Sequence, residues 1–330
     1  MRYKPGVFAL CTLFTQPAQA QPGAFATKVI SYDTNRQAGG GIFDPAKALG
    51  PPVASNLAVH SLGVGGYLTL GFDVTITDGP GADFLVFENA FAISAGGPIF
   101  SEAVFVEVSS NGQDFARFPT LYQGPAASGG RYATSWAGYF TGFAGIKPSN
   151  GGKAGVSNFD VVQAGGDSFD LADLTSHPLV LAGKVDLARI SQVRMVDVIA
   201  GVSRDSSGNI IQDPTAGSAD INAIAVIHHT GNVQGNGPAV ALKIPKNGNF
   251  SIQLHDPAGL TNLDPASLRT SLDGLEIPVI ILLQMMSVTQ LHTTSITLQF
   301  GSALPPGMLF QLAVSVRNKT GYLSGQNRTR

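Results

Sequence analysis

The amino-acid sequence predicts an all-β protein of two successive sandwiches, the second of them immunoglobulin-like. Three observations carry this. Apolar residues come in short runs bounded by Gly, Pro, Asn or Asp, the pattern of strands and turns. Helical periodicity is weak throughout. Glycine and proline are abundant, at 40 and 20 of 330 residues, which suits many short strands better than helices.

The strands read off in order. Tyr67–Phe72 alternates apolar with small or polar residues, and Asp78-Gly79-Pro80-Gly81 follows as a turn. Phe84–Phe87 is a continuous apolar run, as in a strand buried on both faces. Ala103–Val108 is another, closed by Ser110-Asn111-Gly112, a hairpin signal because Asn and Gly tolerate positive φ. Val193–Val198 and Ile221–Ile227 complete the first unit, with single helical turns expected at Asp44–Leu49 and Leu171–Leu174. In the second unit Phe310, Leu312, Val314 and Val316 alternate with polar or small residues, predicting a strand with one buried face. Ile296, Leu298 and Phe300 repeat the pattern, and Leu268–Leu272 runs into the Asp273-Gly274 turn. The first domain is expected over residues 26–230, a polar glycine-rich linker over 231–238, and the second domain over 239–322.

Composition narrows the class. An apolar share of 44% can fill a core, and with 13% charged residues the chain does not read as disordered. Arg2 and Lys4, the apolar stretch Gly6–Phe14 and Ala18-Gln19-Ala20 read as a signal peptide over residues 1–20, so the protein is expected to be exported. Its removal takes the formal charge from -2 to -4 and removes Cys11, the only cysteine. Without basic clusters nucleic acid is not an expected partner. The run Ile277–Met286 is too short to span a bilayer and is expected to be a buried strand; no transmembrane segment is expected.

The residues that suggest chemistry are acids and amides at strand ends. Glu88 and Asn89 close one apolar run, Glu102 opens the next, Asp197 sits in Met195–Val198, Asp220 opens the last strand, and Asp170 lies in a glycine-flanked acidic stretch. A carboxylate in an apolar strand needs a partner, and few basic residues are near in sequence. Two readings stand side by side: ligands of a structural calcium ion, which takes oxygen donors, or caps that accept backbone N–H groups in turns. Asp205–Asp213 places Gly208 at its fourth position, not the sixth of an EF-hand loop, and reads as a hairpin turn. His228 and His229 are adjacent on a strand end and point to opposite faces, against a shared metal. No nucleophile elbow, phosphate loop or zinc helix motif is present. Tyr132, Trp136 and Tyr139, in a long loop, are the expected ligand-binding residues, through ring stacking.

Ala48–Pro52, Ser61–Phe72, Gly81–Phe91, Glu102–Ser109, Gly166–Leu171 and Asp220–Ile227 together resemble, in order, the bacterial exported cell-surface proteins. The resemblance implies a jelly-roll-like β-sandwich joined to a further surface module, no established enzyme activity, and, from distant relatives, corrinoid capture as one function. The chain departs from that pattern at Asn111 and Asn222, where the family favours acids. The expectation is therefore a non-catalytic extracytoplasmic binding or adhesion module, calcium-stabilised, with a glycan, a corrinoid or a protein as partner. The rivals are a polysaccharide-acting enzyme using Glu88, Glu102 or Asp170, and a structural envelope protein.

Overall fold

A computed structural model describes residues 24–35, 41–94, 99–126, 137–213, 218–229, 238–244, 249–256, 259–272, 275–301, 311–319 and 323–329. The expected signal peptide, most of the expected linker, and Tyr132 and Trp136 lie outside the described residues.

The fold is all-β, and among the described residues every strand pair is antiparallel. In the first unit one sheet runs Ala24–Phe25, Asp220–Val226, Phe84–Glu88, Asp167–Phe169, with His60–Ser61 also pairing with Asp220–Val226. The facing sheet runs Lys28–Asp33, Tyr67–Ile76, Ile190–Asp197, Val104–Ser109, Ala116–Arg117. Strand alternation sends Phe84, Val86, Ile224 and Val226 from one sheet against Leu68, Leu70, Val106, Val193 and Met195 from the other, forming the main core. Phe84 lies stacked on Phe169 at 5.4 Å and edge-on to Phe118.

The other face of each sheet is covered over part of its extent, while Ile30 and Tyr32 stay exposed on Lys28–Asp33. Leu85, Phe87, Ala223 and Ala225 pack under Val161, Val162 and Ala164 of the loop before Asp167. Phe105 packs under Phe140, Phe143 and Ile146. This explains why Phe84–Phe87 reads as an unbroken apolar run: the whole strand, Glu88 included, is buried. The expected single turns form as 3-10 helices at Pro45–Ala48 and Leu171–Leu174, capped by the Asp44 and Asp170 side chains.

The second unit has two four-stranded sheets. One orders Ala239–Lys243, Ser251–His255, Ser295–Phe300 and Met286–Leu291; the other orders Leu275–Ile277, Leu263–Leu272, Gln311–Asn318 and Leu323–Thr329. Val240, Ile252, Leu254, Leu312, Val314 and Val316 fill the space between them.

Two expectations are corrected here. Ile277–Met286 is not a buried strand: Val279–Gln284 is a short helix with Ile280, Ile281 and Leu283 exposed. Pro278 supplies no ladder donor but suits a helix start, and its carbonyl accepts from the Ile281 N–H at 2.9 Å. Gln311–Asn318 does not expose its second face. Ala313 joins the cluster of Phe87, Ala223 and Ala225, and the Ser315 hydroxyl donates to the buried Asp160 carboxylate at 2.9 Å. The small residues between the apolar ones face the first sandwich, not water.

Candidate functional site: a buried acid cluster beside a polar pocket

Phe84–Glu88 carries acids just before its start and at its end. Around its end the antiparallel topology gathers five carboxyl groups from distant parts of the chain. Glu88 closes the strand, Asp220 opens the paired strand, Glu102 leads into Val104–Ser109, Asp197 ends Ile190–Asp197, and Asp213 lies in the loop between. Glu88 is 2% exposed, Asp197 4% and Glu102 9%; Asp213 is buried and Asp220 partly so.

Backbone donors orient much of this cluster. Both Asp197 oxygens accept, from the N–H of Gly65 at 2.8 Å and of Ala219 at 3.0 Å. Asp213 accepts from Ala103 N–H at 2.9 Å, and Asp220 from the Ser61 hydroxyl at 2.5 Å. Glu88 Oε1 accepts from the Asp220 N–H at 3.0 Å, whereas Glu88 Oε2 is buried with no partner. Gly145 lets the covering loop lie on the two glutamates. Its φ is +78°, and a Cβ there would fall 2.0 Å from the Glu102 carbonyl oxygen and 3.4 Å from Glu88 Cγ.

Burial raises every member of the cluster. Glu102 is pushed up to about 8 by desolvation, with Asp220 and Asp197 adding repulsion. Burial takes Asp197 to about 7. Glu88 rises well above the usual carboxylate range, first through burial and then through the fields of Glu102 and Asp220. Asp213 rises through burial and through Asp197 and Glu102, and Asp220 through burial. Such a set titrates as a coupled group and does not ionise fully without a counter-charge.

The structure thus brings together four of the six expected metal ligands, Glu88, Glu102, Asp197 and Asp220, and adds Asp213. Asn89 stands beside them, its N–H directed at the Glu88 carboxylate. Asp170 is not among them: it sits near the opposite end of Phe84–Glu88 with Asp78 and Asp83, where one oxygen of each lies within 4.8 Å of the others. That second group is already committed. Asp83 accepts from Gly79 N–H, Leu171 N–H and His228 Nδ1, the last at 2.6 Å, and Asp170 caps Ala172. Burial pushes His228 down to about 4 and Asp83 well above the usual carboxylate range, so the two share one hydrogen bond between Nδ1 and Oδ1 with a single proton. Asp205 behaves as a turn residue: its carboxylate accepts from the N–H groups of Tyr122, Ser207 and Asn209 and from the Asn209 side chain.

Glu88 also borders a pocket of about 320 Å³. Its walls are Val53–Asn56, Glu88–Ala92, the Pro148–Gly151 turn with Lys153, and Asn222. The lining sets amides and hydroxyls, from Ser55, Asn56, Asn89, Ser149 and Asn150, among apolar groups such as Val53, Phe91 and Pro148. Asn222 builds one wall. The register slips between Ile221 and Ala223, and the Asn222 side chain pins the neighbouring loop through Val53 N–H, Val53 carbonyl and Ala58 carbonyl, at 2.9–3.0 Å. Lys153 Nζ donates to Asn150 Oδ1 at 2.7 Å and fixes that amide. Phe91, half exposed, stacks on Phe100 at 5.2 Å beside the pocket.

The third expected ligand residue, Tyr139, ends the Ala137–Tyr139 turn and is packed against the cluster of Phe105, Phe140 and Phe143. Its ring is partly buried there. Sequence reasoning missed Asp213, an isolated acid in a polar loop, and the pocket, whose walls come from four separated segments.

No family model matches the chain. No curated protein matches it either.

Proposed function

We propose that this protein is a non-catalytic, extracytoplasmic binding module that holds a small polyhydroxylated ligand, such as a glycan unit, in the pocket bordered by Glu88 and Asn222. The pocket carries this reading. Its volume lies at the small-ligand end of the range for binding sites, and its walls place the amides of Asn56 and Asn89 and the hydroxyls of Ser55 and Ser149 among apolar groups. Amides with both donor and acceptor suit hydroxyl groups, which also do both. Asn150 and Asn222 are already held by Lys153 and by the Val53–Ala58 loop, so little ordering remains to be done on binding. A pocket of this size favours a sugar-sized group over a corrin macrocycle.

A binding role is favoured over glycosidic hydrolysis because Glu88 and Glu102 are buried neighbours in one cluster. A hydrolase needs two carboxyl groups flanking an open cleft. Export is the reading of the N-terminal sequence.

The test is calorimetric titration of residues 21–330 with a panel of mono- and oligosaccharides, and with a corrinoid. The expected result is saturable binding of a sugar, weakened at least tenfold by Asn150→Ala. A folded protein that binds none of the sugars ends the glycan reading, and tight corrinoid binding unaffected by Asn150→Ala moves the site away from the pocket.

A further inference from the structure

We propose that the open side of the second sandwich is a self-association surface, on which a second copy of this chain docks about a two-fold axis. The inference concerns the second sandwich alone and is independent of the pocket and of the acid cluster.

The second sandwich is closed along one side. There Ala239–Lys243, the outer strand of one sheet, lies against Leu323–Thr329, the outer strand of the other. Along the opposite side the outer strands are Met286–Leu291 and Leu275–Ile277, and among the described residues each pairs with a single neighbour. The two are unequal, six residues against three, so the shorter strand cannot roof the inner surface of the longer one.

The register shows which side chains are left over. Directly opposed residues of an antiparallel pair share a face of the sheet. Ile252 and Leu254 point into the core, and opposite them stand Leu298 and Ile296. Opposite those, on the outer strand, stand Val288 and Leu291, on either side of a slip in register at Thr289. Both are core-side residues by position, yet Val288 is 54% exposed and Leu291 67%. Met286, earlier on the same face, still packs against the core. The helix Val279–Gln284 extends the surface: it touches Met286–Leu291 and leaves Ile280 and Ile281 exposed.

Area and charge select the occupant. Leu275, Ile280, Ile281, Met285, Val288 and Leu291 are each exposed over half to two-thirds of their surface. Together they present roughly 700 Å² per chain, above the about 300–600 Å² of the largest apolar patch on an ordinary monomer and close to the about 800 Å² that each partner brings to a stable interface. From Ile277 to Leu291 there is no Asp, Glu, Lys or Arg. Outer strands that must stay single are commonly protected by charge, lysine above all. An uncharged surface selects neither an acidic nor a basic partner, and it does not repel its own copy. A lipid surface calls for basic residues along the polar face of the helix, and this helix has none. A two-fold contact sets the same apolar groups of both copies against one another, so one surface serves both.

The experiment measures the mass of residues 21–330 by light scattering and sedimentation equilibrium from about 1 to 100 μM. We expect a dimer that dissociates on dilution. Val288→Lys places a charge from each copy in the contact and is expected to raise the dissociation constant at least tenfold, with an unchanged circular dichroism spectrum. Should Val288→Lys not fold, Ile280→Lys, on the helix, is read in the same way. Leu181→Lys, at an exposed leucine of the first sandwich, is expected to leave the dimer intact. A native chain that stays monomeric at about 100 μM overturns the proposal. So does a dimer that survives both Val288→Lys and Ile280→Lys, or a ladder of higher oligomers that grows with concentration, which marks an open head-to-tail contact. A monomer that instead binds neutral phosphatidylcholine vesicles, and loses them in Val288→Lys, gives the surface to a membrane and overturns it too.

Discussion

Replacing Glu102 with glutamine should stabilise the protein at alkaline pH, although it removes an ionisable residue from a buried cluster. Burial lifts the Glu102 carboxyl from 4.5 to about 8. Between those values the folded chain holds a proton that the unfolded chain releases. Folding stability therefore falls as pH rises through this window, at up to about 1.4 kcal/mol per pH unit for one such group. Below pH 4.5 both states are protonated and the cost vanishes; above pH 8 it is complete, on the order of 5 kcal/mol if Glu102 titrated alone. Because Asp220 and Asp197 share the repulsion, a measured value of about 2–4 kcal/mol is the reasonable expectation. Glutamine has the shape of the protonated acid and carries none of this dependence. Urea unfolding in chelator at pH 5, 6.5 and 8 measures it: the two proteins should be nearly equal at pH 5 and diverge in favour of Glu102→Gln by pH 8. If the variant is less stable at every pH, or the difference between the two does not grow with pH, the carboxyl is not held protonated by burial and the account of the cluster is wrong.

Other perturbations probe different parts of the molecule. Glu107 is buried and accepts from both Arg117, at 2.7 Å, and Arg194, at 2.5 Å, while those guanidinium groups lie over Phe105 and Phe115. With both arginines partly open to water, Glu107→Ala should cost about 2–3 kcal/mol in urea unfolding, short of the loss for a fully buried pair. Phe84→Ala should cost about 3–5 kcal/mol, since the cavity lies between Phe118 and Phe169 in the main core; a loss under 1 kcal/mol would mean the two sheets do not meet there. His60 is buried with neither ring nitrogen bonded, and burial lowers it to about 4. Its depressed value makes the folded state lose stability as pH falls from 6.5 towards 4, so His60→Phe should flatten the acid side of the stability profile. Asn222→Ala releases three bonds to the Val53–Ala58 loop, and amide exchange in that loop should accelerate at least tenfold while the sheets stay protected.

The sheets were legible in the sequence because the pattern that marks a strand is local. Phe84–Phe87 and Val193–Val198 each announce themselves within a few residues, and the turns after them are written in Asn, Asp and Gly. Four of the five acids singled out come together because each stands at a strand end and the strand ends converge. Asp170 looked equivalent but belongs near the other end of Phe84–Glu88, a distinction made by topology and not by residue type. The covering of Gln311–Asn318 was hidden for a similar reason: Ala313 and Ser315 read as solvent-facing until a second surface is known to lie against them. Ile277–Met286 misled in the opposite direction, since apolarity alone says nothing of whether a neighbour exists to cover it.

The Ser315–Asp160 contact bears on how the protein would carry a load. Asp160 also accepts from the N–H groups of Val162 and Gln163, so one buried carboxylate ties the second sandwich to the loop that roofs the first. A pull applied at the C-terminal end would reach the first sandwich through this seam, not only through the chain that joins the two. The seam is a second, buried connection between the two sandwiches beside the chain itself.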